Sequence, residues 1–270
     1  MPPYSDCSAL AYWRTELDSQ TLSTKNLEVG ISGHSIAACD DITLEPGQVL
    51  VLIGKNGSGK STFLRTLAGF LKPIKGEVLF GSDKHVETEK LIAWLSQEEH
   101  LEFAWTVREY VSLGRIAHNS GLVLTPQDEN VVDEALNQAD ANNLSERFMN
   151  ELSGGERQRV RLARALAQET PIILMDEPTT HLDIEHQIQI LLLIRKLAAQ
   201  GKTIIVSLHD VVQSERVGTK FLLFANGQAD LCDQLNAKML EQTLGVQFEH
   251  QNPESPVGQL VPTFYRHTTD

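Results

Sequence analysis

The chain has 270 residues, 41% of them hydrophobic and 22% charged, which suits one globular domain, or one domain with an insertion, built on a substantial core. Its net charge of -13 argues against broad electrostatic binding of DNA or RNA, so any bound phosphate needs a local, pre-shaped site. Cys7, Cys39 and Cys232 are too few and too far apart for a disulfide framework or a metal cluster, and no run nears the roughly 18 apolar residues of a membrane helix.

The opening MPPYSDCSALAYWRTELDSQ has neither a basic start nor an apolar run, so it does not read as a secretory signal and a cytosolic chain is expected. Residues 1 to about 22 show no usable periodicity. ITLE then runs into the turn pair Pro46-Gly47 and the strand-like QVLVLI, which ends at a glycine-rich loop. After the loop, Phe63, Leu64 and Leu67 have helical spacing. Residues 126–149 are predicted helical, with Val131, Val132, Ala135, Leu136 and Ala139 on one face. The apolar run IILM precedes an acidic pair, and an amphipathic helix carrying Ile184, Ile188, Leu191 and Ala198 follows, with Gly201 placed to stop it. TIIVSL is a further apolar strand, and Pro253, Pro256, Gly258 and Pro262 mark an extended tail after about residue 250. Apolar strands alternating with helices predict an α/β fold whose largely parallel sheet is covered on both faces.

Gly54-Lys55-Asn56-Gly57-Ser58-Gly59-Lys60-Ser61-Thr62 satisfies the full phosphate-loop pattern in its strand-loop-helix setting. Glycines let backbone N–H groups approach phosphate oxygens at the positive end of the next helix. Lys60 would neutralise the outer phosphates, and Ser61 would offer its hydroxyl to Mg2+. Kinases and GTPases share this loop, so it indicates nucleotide binding and leaves the reaction open. The run Ile172 to Met175 ends in Asp176 and Glu177, which brings two carboxylates to the edge of a sheet. Asp176 would hold Mg2+ through water, and Glu177 would polarise the attacking water.

Leu152-Ser153-Gly154-Gly155-Glu156-Arg157-Gln158-Arg159 could serve locally as a capped helix start, Ser153 and Glu156 forming a capping box. It also resembles the signature motif of the ATP-binding-cassette (ABC) family, and the resemblance extends over residues 25–245 because further motifs follow in the family's order. Gln97 matches the glutamine loop, a contact to ATP and its metal; Thr180-His181-Leu182-Asp183 resembles the dimer-contacting D-loop; His209 matches the switch histidine. The resemblance implies a P-loop NTPase core with a mostly parallel sheet, a small antiparallel portion from the first strands and an inserted helical subdomain at about 98–165. It divides the chain into an N-terminal segment 1–22, an ATPase domain 23–250 and a tail 251–270. It also implies a head-to-tail pair of subunits in which the phosphate loop of one copy faces Ser153, Gly154 and Gly155 of the other across ATP, with Lys60 and His209 stabilising developing charge.

Two positions depart from the family pattern. Ile31 stands where an aromatic residue commonly stacks on adenine, leaving apolar contact, or cover by Tyr12 or Trp13, to do that work; Lys55 stands where proline is frequent. Phe103, Thr106, Val107, Glu109, Val111, Gly114 and Arg115 resemble the corresponding stretch in ATPases of importers for iron chelates, haem and cobalamin. That resemblance implies a membrane permease as partner, docking beside Gln97, a substrate-binding protein acting indirectly, and a position on the cytoplasmic face of the inner membrane. A soluble ABC ATPase of the iron-sulfur assembly type, the ATPase of another ABC transporter class and a non-hydrolysing regulatory module are the alternatives, the last opposed by the presence of both Glu177 and His209.

Overall fold

A computed structural model of the chain describes residues 21–81, 88–96, 104–118, 124–180, 182–250 and 260–262. Tyr12, Trp13, Gln97, Phe103 and His181 lie outside them.

The strands that read as unbroken apolar runs are buried along their whole length: β4 Val49–Gly54, β7 Ile172–Met175 and β8 Thr203–Ser207. Such runs need cover on both faces, and these have it. Together with β6 Ile92–Leu95 and β9 Lys220–Ala225 they form a parallel set in the order β9-β4-β8-β7-β6. Alternation along β4 divides the core. Val49, Val51 and Ile53 pack with Ile190, Leu191, Ile194 and Leu197 of helix α6 (Ile184–Ala199) on one face. Leu50 and Leu52 pack with Phe63, Leu64 and Leu67 of α1 (Lys60–Leu67) on the other. A single turn, α2 (Thr88–Leu91), leads directly into β6.

The antiparallel portion closes over α1. Strand β1 (Leu22–Ile31) pairs antiparallel with β2 (His34–Cys39), β3 (Ile42–Leu44) and β5 (Lys75–Phe80), and β2 continues the sheet through β10 (Gln228–Cys232) to β9. Leu22, Leu27 and Val29 therefore share a core with Phe63 and Leu67. Cys39 and Cys232 are free thiols, and burial pushes Cys39 up to about 12.

A third core is purely helical. Val107, Tyr110 and Val111 of α3 (Val107–Ser112) meet Val132, Ala135 and Leu136 of α4 (Pro126–Gln138) and Val160 and Ala163 of α5 (Gly154–Ala167). Capping boxes at Thr106, Thr125 and Ser153 start these three helices. Helix α5 also lends Leu162 and Ala165 to the sheet's core, so it belongs to both bodies.

Three expectations are corrected. The predicted helix over 126–149 ends at Gln138, because Asp140 takes a left-handed φ of 51° and two short 3-10 turns follow. Ile184 and Ile188, expected on a buried face, are 75% and 45% exposed, since the stripe that meets the sheet is Ile190, Leu191, Ile194 and Leu197. The extended tail is interrupted: Leu260–Pro262 pairs antiparallel with Phe248–His250, and Leu260 is fully buried, its N–H donating to Glu215 Oε2 at 3.3 Å.

Candidate functional site

Strand β4 delivers the phosphate loop at Gly54, where a Cβ would lie 2.6 Å from Ser58 Oγ and 2.8 Å from Phe224. Gly57 and Gly59 have φ of 78° and 113°, which side chains strain to adopt. Gly59 is the N-cap of α1 and supplies no side-chain acceptor, so no cap side chain competes for the first-turn N–H groups. Lys60 folds back along the loop, its Nζ donating to Gly54 O at 2.7 Å and Lys55 O at 3.1 Å. It is only 5% exposed. Burial lowers its pKa, and the nearby Glu177 and Asp176 carboxylates oppose that shift. Ser58 Oγ is buried with no hydrogen-bond partner among the described residues. An orphaned hydroxyl beside a cation held by two carbonyls is what an anion-binding loop presents without its anion.

The two carboxylates sit at the ends of neighbouring parallel strands. Asp176, just past β7, is buried and its N–H donates to Leu95 O at 2.9 Å. Ser207, at the end of β8, donates from Oγ to Asp176 Oδ1 at 2.7 Å and accepts from the Glu177 N–H at 2.8 Å. One hydroxyl thus fixes both acidic residues. Glu177 itself has a left-handed φ of 50°, a conformation that costs a side-chain-bearing residue about 1 kcal/mol and here turns the carboxylate out of the strand line. Its Oε1 meets His209 Nε2 at 2.6 Å, and Thr180 Oγ1 donates to its Oε2 at 3.3 Å.

The structure therefore gathers Lys60, Asp176, Glu177 and His209 into one cluster. Ser153, Gly154 and Gly155 share no hydrogen bond or ion pair with the phosphate loop among the described residues; they form the start of α5, with Ser153 and Gly154 exposed and Gly155 half-buried. Ser153 Oγ accepts from the Glu156 N–H at 3.3 Å, Glu156 Oε2 accepts from the Ser153 N–H at 2.8 Å, and Arg147 pairs with Glu156 at 3.0 Å. Asp183 is the N-cap of α6, where Oδ1 accepts from the His186 N–H at 2.9 Å. Helix α5 reaches back to the cluster through Gln158, whose Nε2 donates to Pro178 O at 3.1 Å. Arg161 on the same helix donates from Nη2 to Ser96 O, fixing the chain just before position 97. Ile31 is 47% exposed at the end of β1, open to apolar contact.

Sequence reasoning missed Ser207, although its place two residues before His209 was a signal, and it did not assign Thr180 to Glu177. A groove of about 470 Å³ lies in the helical body, lined by Trp105, Thr106, Arg108, Leu113, Ile116 and Glu146 among others.

Residues 40–180 match the ABC transporter family. The chain belongs to that family. Among its ABC relatives, the achromobactin transport ATP-binding protein of Dickeya dadantii is 44% identical over 197 residues, 70% of this chain and 73% of that protein. A hemin import ATP-binding protein of Pseudomonas fluorescens is 42% identical over 217 residues, 77% of this chain and 84% of that one. Solved ABC structures agree in fold. An inward-facing metal-chelate type ABC transporter is matched at a TM-score of 0.80 and 28% identity, over 90% of this chain and 98% of that one. A dimeric ATP-binding cassette in a post-hydrolysis state with ADP and Pi is matched at 0.69 and 28%, over 80% and 99%. The chain is an ABC ATPase with the antiparallel portion and helical body that its sequence led us to expect.

Proposed function

We propose that this ABC ATPase hydrolyses Mg-ATP at the phosphate-loop cluster and so drives import of an iron chelate, haem or cobalamin through a separate membrane permease. The observation that carries the catalytic reading is the Glu177 carboxylate held 2.6 Å from His209 Nε2 beside the buried Lys60. Lys60 exchanges its two carbonyl acceptors for the outer phosphate oxygens, and the backbone N–H groups of Gly54 to Thr62 surround the phosphates. Glu177 orients the attacking water and takes its proton, while His209 donates to the charge that develops on the terminal phosphate.

The donor set fits a magnesium ion: the Ser61 hydroxyl is a hard oxygen donor, the Asp176 carboxylate would hold the ion through water, and Gln97, which lies outside the described residues, is assigned to the same ion. That ion would neutralise phosphate charge and align the terminal phosphate for in-line attack. Neither copy completes the site alone. In a head-to-tail pair, Ser153, Gly154 and Gly155 of a second copy cover the terminal phosphate, and Asp183 lies at the contact.

The importer reading is supported by the achromobactin and hemin transport names of the relatives, and by a cobalamin import ATP-binding protein of Halobacterium salinarum, 36% identical over 214 residues. On this reading residues 23–250 form the ATPase domain, about 98–165 its helical subdomain, and the groove at Trp105 and Ile116 faces the permease. No helix among the described residues is long and apolar enough to cross a membrane, so attachment to the inner face of the membrane falls to the permease.

The deciding experiment pairs two measurements. Glu177→Gln protein is expected to dimerise with Mg-ATP and stay monomeric with Mg-ADP, by light scattering, with turnover at least about 100-fold below the parent. Parent protein extracted from membranes is expected to bring a polytopic membrane protein with it. Equal turnover in the two proteins defeats the catalytic assignment, and recovery without any membrane protein favours a soluble ABC ATPase instead.

A further inference from the structure

The His186 side chain joins two segments that are far apart in sequence and that the catalytic cluster does not use. Its Nδ1 lies 2.6 Å from Asp183 Oδ1, the same oxygen that accepts the His186 N–H at 2.9 Å. Its ring also lies over Gly155: a Cβ at that glycine would stand 3.3 Å from the imidazole Cδ2, 3.4 Å from Cγ and 3.5 Å from Nδ1. The imidazole is therefore held on one edge by a carboxylate that caps α6, and it occupies the space beside Gly155 on the first turn of α5, where any side chain larger than hydrogen would crowd it. Ionic character at the carboxylate makes this bond stronger than a neutral one. A larger residue at 155 would push the ring away, and a rotated Asp183 would withdraw it.

We propose that His186 is a positioning residue that makes the Asp183 turn and the Ser153-Gly154-Gly155 edge move as one piece within a protomer. The inference rests on the proposed ATP sandwich, in which both segments face the second copy. If they are joined, a protomer that seats Asp183 correctly also presents Gly154 and Gly155 at the right height over the nucleotide held by its partner. The junction then acts on closure of the dimer, and leaves the chemistry at Glu177 alone. Two contacts suffice because both ends are already fixed by capping boxes or caps, so little freedom is left to lose.

Three substitutions separate the two halves of the junction, each made in full-length Glu177→Gln protein and titrated with Mg-ATP while light scattering follows the dimer. His186→Ala removes bond and ring, His186→Phe keeps a ring against Gly155, and His186→Asn keeps an amide N–H for Asp183. All three are expected to raise the ATP concentration at half-dimerisation, the alanine variant by about fivefold or more. With Glu177 intact, the KM for ATP should rise while kcat at saturating ATP stays within about twofold, and the nucleotide-free melting temperature should hold. A midpoint unchanged in the phenylalanine or the asparagine variant overturns the proposal, because one half of the junction would then be dispensable. So does a melting temperature that falls in step with the midpoint, which would give His186 an ordinary folding role. A Glu177→Gln parent that remains monomeric with Mg-ATP is a different result: it removes the sandwich itself, and the inference with it.

Discussion

Ser207 carries more than its size suggests. Its hydroxyl is the sole tie between the Asp176 carboxylate and the Glu177 backbone among the described residues, and it is fully buried. Alanine there removes no bulk worth a cavity, but it leaves a buried carboxylate oxygen and a strained N–H without their partner. An unsatisfied buried group costs about 1–3 kcal/mol, more when charged. Ser207→Ala should therefore lower the unfolding free energy by about 2 kcal/mol in urea denaturation, with an unchanged slope, and reduce turnover by letting Glu177 leave its left-handed conformation. Threonine at the same position keeps the hydroxyl and should recover much of the turnover.

At the scale of elements, Arg115 clasps the start of α4 to the end of α5. It is 5% exposed, and its guanidinium pairs with Asp128 Oδ1 at 2.9 Å and Glu169 at 2.8 Å while donating to Ala167 O at 2.7 Å. Asp128 closes the capping box at Thr125 with its other oxygen, so two ion pairs sharing Arg115 join the start of α4 to the end of α5. Gly114 beside it is forced by proximity, since a Cβ there would lie 2.5 Å from Arg164 O. Removing one member of a buried pair strands the other charge, which costs about 3–5 kcal/mol. Arg115→Met should approach that loss in urea denaturation. The exposed pair of Arg108 with Asp133 offers the control, and Arg108→Ala should cost less than about 1 kcal/mol.

Much of this was legible in the chain. The phosphate loop, the IILM strand with its two carboxylates, and the Ser153 capping box are local patterns whose spacing fixes their geometry, and they stand where the sequence placed them. Gly114 and Arg115 were legible only as a motif; that they form a structural clasp depends on Asp128 and Glu169, 13 and 54 residues away from Arg115. Ser207 and His186 were missed for the same reason, since a hydroxyl or an imidazole carries no periodicity and acquires its role from a partner on another element. Helix α6 misled in a different way. It is apolar nearly all round, so both the stripe through Ile184 and Ile188 and the one through Ile190 and Ile194 satisfy a helical period, and only contact with the sheet selects between them.

For the whole molecule, acid is the revealing perturbation, because carboxylates held as anions recur at its helix starts. Backbone N–H donors lower the pKa of Glu109 at Thr106, of Glu156 at Ser153 and of Asp183 at His186, and a hydrogen bond from Lys75 lowers that of Glu28. A carboxyl whose folded pKa is depressed binds fewer protons folded than unfolded. Its contribution is fully present above the unfolded value, 4.5 for glutamate and 3.8 for aspartate, and is lost as pH falls through the lower folded value. Against this, the net charge of -13 means that the first protons taken up below pH 7 relieve self-repulsion. The two effects act in different windows. The melting temperature of nucleotide-free protein should hold or rise slightly from pH 7 to about 5.5, where repulsion is shed and the caps stay ionised. Below about pH 4.5 it should fall steeply, as the carboxylates that start α3, α5 and α6 protonate and their helix ends lose their acceptors. Calorimetry across that range checks it. Glu156→Gln keeps an acceptor without a titrating proton, so it should flatten the acid limb while costing little at neutral pH; an acid limb as steep as the parent's would place the lost stability elsewhere.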